Sequence, residues 1–123
     1  MKGVMPQEIE VWYILPALRR ESSKIMLEKG LNQREISKHL FLTEAAVSQY
    51  MNGKRGKEIE FTDEIRNDIK ESVERILKHG NLIAEFQVLC KKIRSSGLLC
   101  ETHKKHGIVT KECEDQIICL EEP

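Results

Sequence analysis

Hydrophobic and small positions recur with helical spacing from Glu10 to Glu28, at Val11, Ile14, Leu15, Leu18, Ser22, Ile25 and Met26. Pro16 falls inside this run. It has no amide hydrogen and its ring crowds the preceding turn, which predicts a kink or two abutting helices rather than one straight rod. Gly30 is the expected stop. Asn32 followed by Glu35 forms a capping-box pattern that opens a short helix with Ile36 and Leu40 on one face. After a break at Phe41-Leu42, Thr43 can cap a second short helix from Glu44 to Asn52, with Val47 and Tyr50 or Met51 inward and Gly53 as its end. KRGKEIEF then reads as a basic, glycine-containing connection with room for a short extended piece. Thr62 or Asp63 opens a longer helix striped by Ile65, Ile69, Val73 and Ile76 or Leu77, and Gly80 closes it. Asn81 to Ser96 reads as one more helix, with Leu82, Ile83, Phe86, Leu89, Cys90 and Ile93 on one side and Gly97 as stop. Beyond Gly97 no period holds, and no internal repeat or low-complexity tract is present. The pattern predicts an all-α helical bundle followed by C-terminal helices and an irregular cysteine-rich tail.

Composition agrees with that picture. Of the 123 residues, 40% are hydrophobic, 5% aromatic and 33% charged, which suits an aliphatic helical core and is too apolar for disorder. No apolar run reaches the roughly 20 residues of a membrane span, and the N-terminus has no signal-peptide core. A cytoplasmic protein with no membrane partner is the expectation. The net charge of zero, 20 Lys+Arg against 20 Asp+Glu, conceals an asymmetry. Residues 1–57 hold 10 basic and 6 acidic side chains (+4), and residues 58–123 hold 10 and 14 (−4). One half can therefore meet a polyanion while the total is neutral.

The segment GLNQREISKHLFLTEAAVSQYMNGKRG carries the most specific signal. Two short helices joined by a tight turn make the helix-turn-helix unit, whose second helix enters the DNA major groove. Ala45, Ala46 and Ser48 are small enough for the backbone to approach base edges, and Gln49 can hydrogen-bond an adenine or a phosphate. The helix N-terminus at Gln33, beside Arg34, can take a phosphate. Lys54, Arg55 and Lys57 follow the second helix at backbone-contacting distance. Glu44 either accepts from a cytosine amino group or is a solvated residue of the cap. An ordinary helical hairpin is the alternative to a DNA role.

This stretch resembles the phage-repressor-like (XRE or Cro-type) helix-turn-helix family through LNQREISKHL, the capped TEAAVSQYMNG and the following KRG, over roughly residues 9–62. The resemblance implies a phosphate contact at Gln33 and base-reading positions at Thr43, Glu44, Ala45, Ser48 and Gln49. It departs from the family at the turn, where Phe41 stands in place of the usual small residue. A wider turn, or one packed against another helix, is the expectation there. Two regions follow: a DNA-binding domain at 1–62, and at 63–123 a helical dimerisation region with the cysteine tail.

Cys90, Cys100, Cys113 and Cys119 are spaced C-x9-C, C-x12-C and C-x5-C. Zinc knuckles use C-x2-C pairs, which are missing, so zinc is weakly signalled. An iron–sulfur cluster tolerates looser spacing and would organise a tail that is short of core residues. Disulfides or free thiols, with Cys90 as a buried core residue, are further readings. WYILPALRR, TEAAVSQYMNGKRG and CKKIRSSGLLCETHKK together look like a group of archaeal regulators of this superfamily. That likeness implies a cysteine-ligated iron–sulfur centre, 4Fe–4S rather than 2Fe–2S, on Cys90, Cys100, Cys113 and Cys119, with zinc as the alternative metal. The terminal C-x5-C is wider than the pair the likeness implies, and Cys113 departs most. His103 and His106 could share a face as ligands or stand solvated among lysines, and His39 and His79 read as exposed helix positions. No Walker loop, G-x-S-x-G or H-E-x-x-H is present, and no carboxylate pair is marked as catalytic. The expected protein is a non-enzymatic regulator that binds a palindromic duplex operator as a homodimer and senses redox state, oxygen or cluster supply through its tail. A metal-stapled, antitoxin-like interaction module is the alternative.

Overall fold

A computed structural model describes residues 5–99, 101 and 102. The described chain is all-α: α1 (Pro6–Ile9), a π-helical turn (Glu10–Ile14), α2 (Leu15–Glu28), α3 (Gln33–Leu40), α4 (Glu44–Met51), α5 (Asp63–His79) and α6 (Leu82–Ser95). No helix among the described residues is long and apolar enough to cross a membrane.

Pro16 is absorbed without a break. The backbone at Ile9, Glu10, Ile14 and Leu15 stays right-handed helical, and the Leu15 N–H donates to the Glu10 carbonyl, five residues back. A π turn is wider than an α turn, so it gives the proline ring room and removes the demand for its missing N–H. The same widening rotates the buried face. Ile9 and Ile14, five apart, are both fully buried, and Leu18, Ser22, Ile25 and Met26 continue inward from there at ordinary spacing. Val11, expected in the core, is turned outward and 57% exposed.

The stops and caps fall where the residue types require them. Asn32 and Glu35 exchange backbone and side-chain hydrogen bonds of 2.9 Å each, and the Thr62 hydroxyl accepts from the Ile65 N–H at 3.3 Å. Between α4 and α5, Ile59 and Phe61 are buried while Glu58 and Glu60 are exposed, the period-two alternation of an extended segment laid on the core.

α5 and α6 form a hairpin pinned by Glu85. Its carboxylate accepts from Ser72 Oγ at 2.8 Å and from Arg75 Nε and Nη2 at 2.8 and 3.1 Å. The Arg75 hydrogen bond, aided by that of Ser72, holds the Glu85 carboxyl below the usual carboxylate range despite its burial. Leu82, Phe86, Leu89, Cys90 and Ile93 form the inner stripe of α6. Ile83, expected among them, is 73% exposed, because one residue on from Leu82 lies about 100° around the helix. At the other end Arg94 reaches the π turn, 3.1 Å from Glu10 Oε2. Past Gly97, where no period was expected, Leu98 and Leu99 turn back into helix and Leu99 is buried. One hydrophobic cluster runs from Ile9 through Met26, Ile36, Val47 and Ile69 to Leu99.

Candidate nucleic-acid interface

α3 and α4, eight residues each, are joined by Phe41, Leu42 and Thr43 alone. The turn is not wide, and its Leu42 packs partly buried against the core. Phe41 takes the left-handed conformation (φ 54°, ψ 44°), the Leu42 N–H returns to the Ser37 carbonyl at 2.9 Å, and the ring is 71% exposed. A β-carbon in this conformation costs roughly 1–2 kcal/mol, against about 0.5–1 kcal/mol for the extra freedom glycine loses on folding. Phe41→Gly is therefore expected to stabilise the protein by up to about 1 kcal/mol. A lower midpoint in urea for that variant would mean that the ring makes a contact the described residues do not show.

Thr43 caps α4 by accepting from the Ala46 N–H at 3.0 Å. Val47 and Tyr50 anchor α4 in the core, which leaves Thr43, Glu44 and Ala45 exposed and Ser48 and Gln49 half-buried on the outer side. Ser48 and Gln49 follow Glu44 and Ala45 by three or four residues, so these four lie on neighbouring positions of the outer face. Gln49 Oε1 is itself buried and has no hydrogen-bond partner among the described residues. Gln33 and Arg34 are exposed at the first turn of α3.

Beyond α4 the chain reverses tightly. The Gly53 N–H donates to the Tyr50 carbonyl at 3.2 Å and the Lys54 N–H to the Gln49 carbonyl at 2.9 Å, with Gly53 left-handed at φ 73°. Arg55 lies over the Tyr50 ring, 5.9 Å from its centroid. Lys54, Arg55 and Lys57 are exposed, and none forms an ion pair among the described residues. They are thus not tied up in ion pairs among the described residues, unlike Arg66, Arg75, Lys92 and Arg94. Gly56 fixes this loop to the body, as a β-carbon there would lie 2.4 Å from the Pro16 carbonyl oxygen. Its role is not readable from residue spacing, and neither is the exposure of Trp12 on the π turn nearby.

The cysteines divide. Cys90 is a core residue, 7% exposed, and burial pushes its thiol up to about 11, with the Glu10 charge adding to the effect and Arg94 opposing it. Metal and cluster ligands are thiolates, so a metal held at this position would have to displace the proton that burial favours. Cys100, Cys113 and Cys119, with His103 and His106, lie outside the described residues. Of the other histidines, His79 is exposed as expected and His39 is half-buried.

Cys90→Ala is expected to cost about 1 kcal/mol of stability. The buried thiol also predicts an alkaline limb. The unfolded chain loses its proton first, so stability is fully present below roughly pH 9 and declines as pH rises towards about 11. Cys90→Ala removes that limb. Loss of metal from this variant, measured by elemental analysis, would place Cys90 at the metal.

In comparisons with known proteins, no family, no curated protein and no solved structure matches the chain.

Proposed function

We propose that the protein is a helix-turn-helix, sequence-specific DNA-binding transcriptional regulator, with α4 as the recognition helix. The observation that carries this reading is one juxtaposition. A tightly capped helix with a small, uncharged outer face at Ala45 and Ser48 leads directly into Lys54, Arg55 and Lys57, which have no anionic partner among the described residues. Small side chains admit the helix to the groove, and the three cations meet flanking phosphates. Gln33 and Arg34 at the α3 N-terminus supply a second phosphate contact. Thr43, Glu44, Ala45, Ser48 and Gln49 face the bases. For Gln49 to pair with both N6 and N7 of an adenine, its buried carbonyl oxygen must swing out.

In this reading the protein acts as a homodimer on a palindromic operator, since one such unit buries too little DNA for specificity. The exposed Ile83 on α6 is an apolar group available to that contact. The tail cysteines Cys100, Cys113 and Cys119 are proposed to bind an iron–sulfur cluster, with zinc as the alternative, and to report redox state or cluster supply. Cys90, buried on α6, is the fourth candidate ligand of the same proposal.

Duplex binding measured at several salt concentrations tests the function. A plot of log K against log salt with a slope steeper than about −3 supports phosphate contact by several cations. Absence of duplex binding by protein purified without oxygen, both before and after chelation, refutes the reading. Iron, sulfide and zinc content of the same preparation decides the metal.

A further inference from the structure

The outer surface of the π turn faces the loop that leaves α4, and an open groove of about 500 Å³ lies between them. Its walls combine two chemistries. Trp12 and Tyr13 supply aromatic surface above the buried Tyr50, while Arg19, Lys54 and Arg55 supply cations. Trp12 is the one tryptophan in a chain with 5% aromatics, yet it is 51% exposed. Burying a tryptophan removes roughly 150–250 Å² of surface from water, so an exposed one beside three cations forgoes a substantial stabilisation. It stands out here because the π turn rotates residues 11 and 12 away from the core. Such turns recur at functional sites.

The groove is held rigidly on both sides. Gly56 closes against Pro16 and the β-carbon of Arg20 so tightly that no side chain fits there. Arg55 is seated over Tyr50 at 5.9 Å. Arg19, like Lys54 and Arg55, has no ion-pair partner among the described residues. One carboxylate, Glu58, also lines the groove and would repel phosphate, but it can accept from a base amino group or ring N–H.

We infer that this groove binds a nucleobase bearing phosphate. The base stacks on Trp12, and Arg19, Lys54 and Arg55 neutralise the phosphate. A flat π system with an anionic end is the ligand class that uses the rings and the cations together. The volume is within the range of small-ligand sites, roughly 300–1,000 Å³. The base–phosphate unit can come from a free mononucleotide or from an unpaired nucleotide of a strand. The site goes beyond duplex recognition and does not depend on it, although Lys54 and Arg55 serve both.

Because Trp12 is unique, its fluorescence reports on this groove alone. Titration with AMP is expected to quench it saturably, whereas adenosine and inorganic phosphate each bind at least tenfold more weakly. Arg19→Gln is expected to raise the AMP dissociation constant about tenfold and to leave duplex binding unchanged. Lys57→Gln, outside the groove, should weaken duplex binding and spare AMP. Saturable quenching by a short single-stranded oligodeoxyadenylate but not by AMP would assign the base to a strand, with the same chemistry. The inference is overturned if neither ligand quenches Trp12, if phosphate alone competes as well as AMP, or if Arg19→Gln and Lys54→Gln both bind as tightly as the parent. None of these outcomes depends on a duplex, so failure here and failure of operator binding are separate results.

Discussion

Gly56→Ala is expected to lower the melting temperature by about 8–20 °C. Two costs combine. The residue holds φ +74°, where a β-carbon costs roughly 1–2 kcal/mol. The added carbon would also lie 2.4 Å from the Pro16 carbonyl oxygen and 3.1 Å from Arg20 Cβ. The first of these is backbone in a continuous helix and cannot swing aside, so the loop must lift. Overpacking of this kind costs about 1–3 kcal/mol. Gly53→Ala is the internal control. It has nearly the same backbone (φ +73°) but nothing within 4 Å, so only the conformational cost of about 1–2 kcal/mol remains. Thermal unfolding of the two variants side by side isolates the contact. Equal destabilisation would show that Gly56 does not bind the loop to α2.

Neutralising Lys54, Arg55 and Lys57 together, each to Gln, is expected to reduce duplex affinity at least a hundredfold per protomer at 0.1 M salt. If each cation meets one phosphate, three counterions are no longer released. The log–log salt slope then becomes shallower by about 2.7, and extrapolation from 1 M to 0.1 M salt gives roughly 500-fold. The fold should survive, because all three side chains are exposed and none is in an ion pair among the described residues. The loss should be equal on an operator and on random duplex, since phosphates carry no sequence. Ser48 and Gln49 substitutions should do the reverse, narrowing the gap between operator and random duplex with little change in slope. A triple variant with the parent slope would exclude this loop from the DNA.

Much of the fold is legible because short-range chemistry decides it. The Asn32–Glu35 box, the Thr43 and Thr62 caps and the glycine stops at 30, 53 and 80 act within one turn of chain, and each is found where residue type places it. The stripes Ile65–Ile69–Val73–Ile76 and Leu82–Phe86–Leu89–Ile93 follow from periodicity in the same way. The turn between α3 and α4 is less legible. Phe41 is a poor residue for a left-handed position, and its size suggested a wider loop. The backbone bonds that close α3 outweigh its strain.

The misplacements at Val11 and Ile83 share a cause. Apolar character alone does not say which of two adjacent residues points inward. For Val11 the answer depends on one extra residue per turn around Pro16, and for Ile83 on where α5 lies. Cys90 differs from both: its place on the α6 stripe is legible from helical spacing, and packing adds that burial raises its thiol pKa.

Sequence alone therefore determined the caps, stops and stripes of α3 to α6, the paired short helices and the basic stretch after them, all properties of residues close in the chain, but not α1, the π turn or the helical Leu98 and Leu99. Tertiary structure decided what lies opposite what. It set Gly56 against Pro16, Glu85 between Ser72 and Arg75, and Trp12 outward across a groove from Lys54 and Arg55. These partners are separated by 10 to more than 40 positions. Their meeting depends on burying one shared hydrophobic cluster and on the rotation a single π turn imposes, and neither is written in any local run of residues.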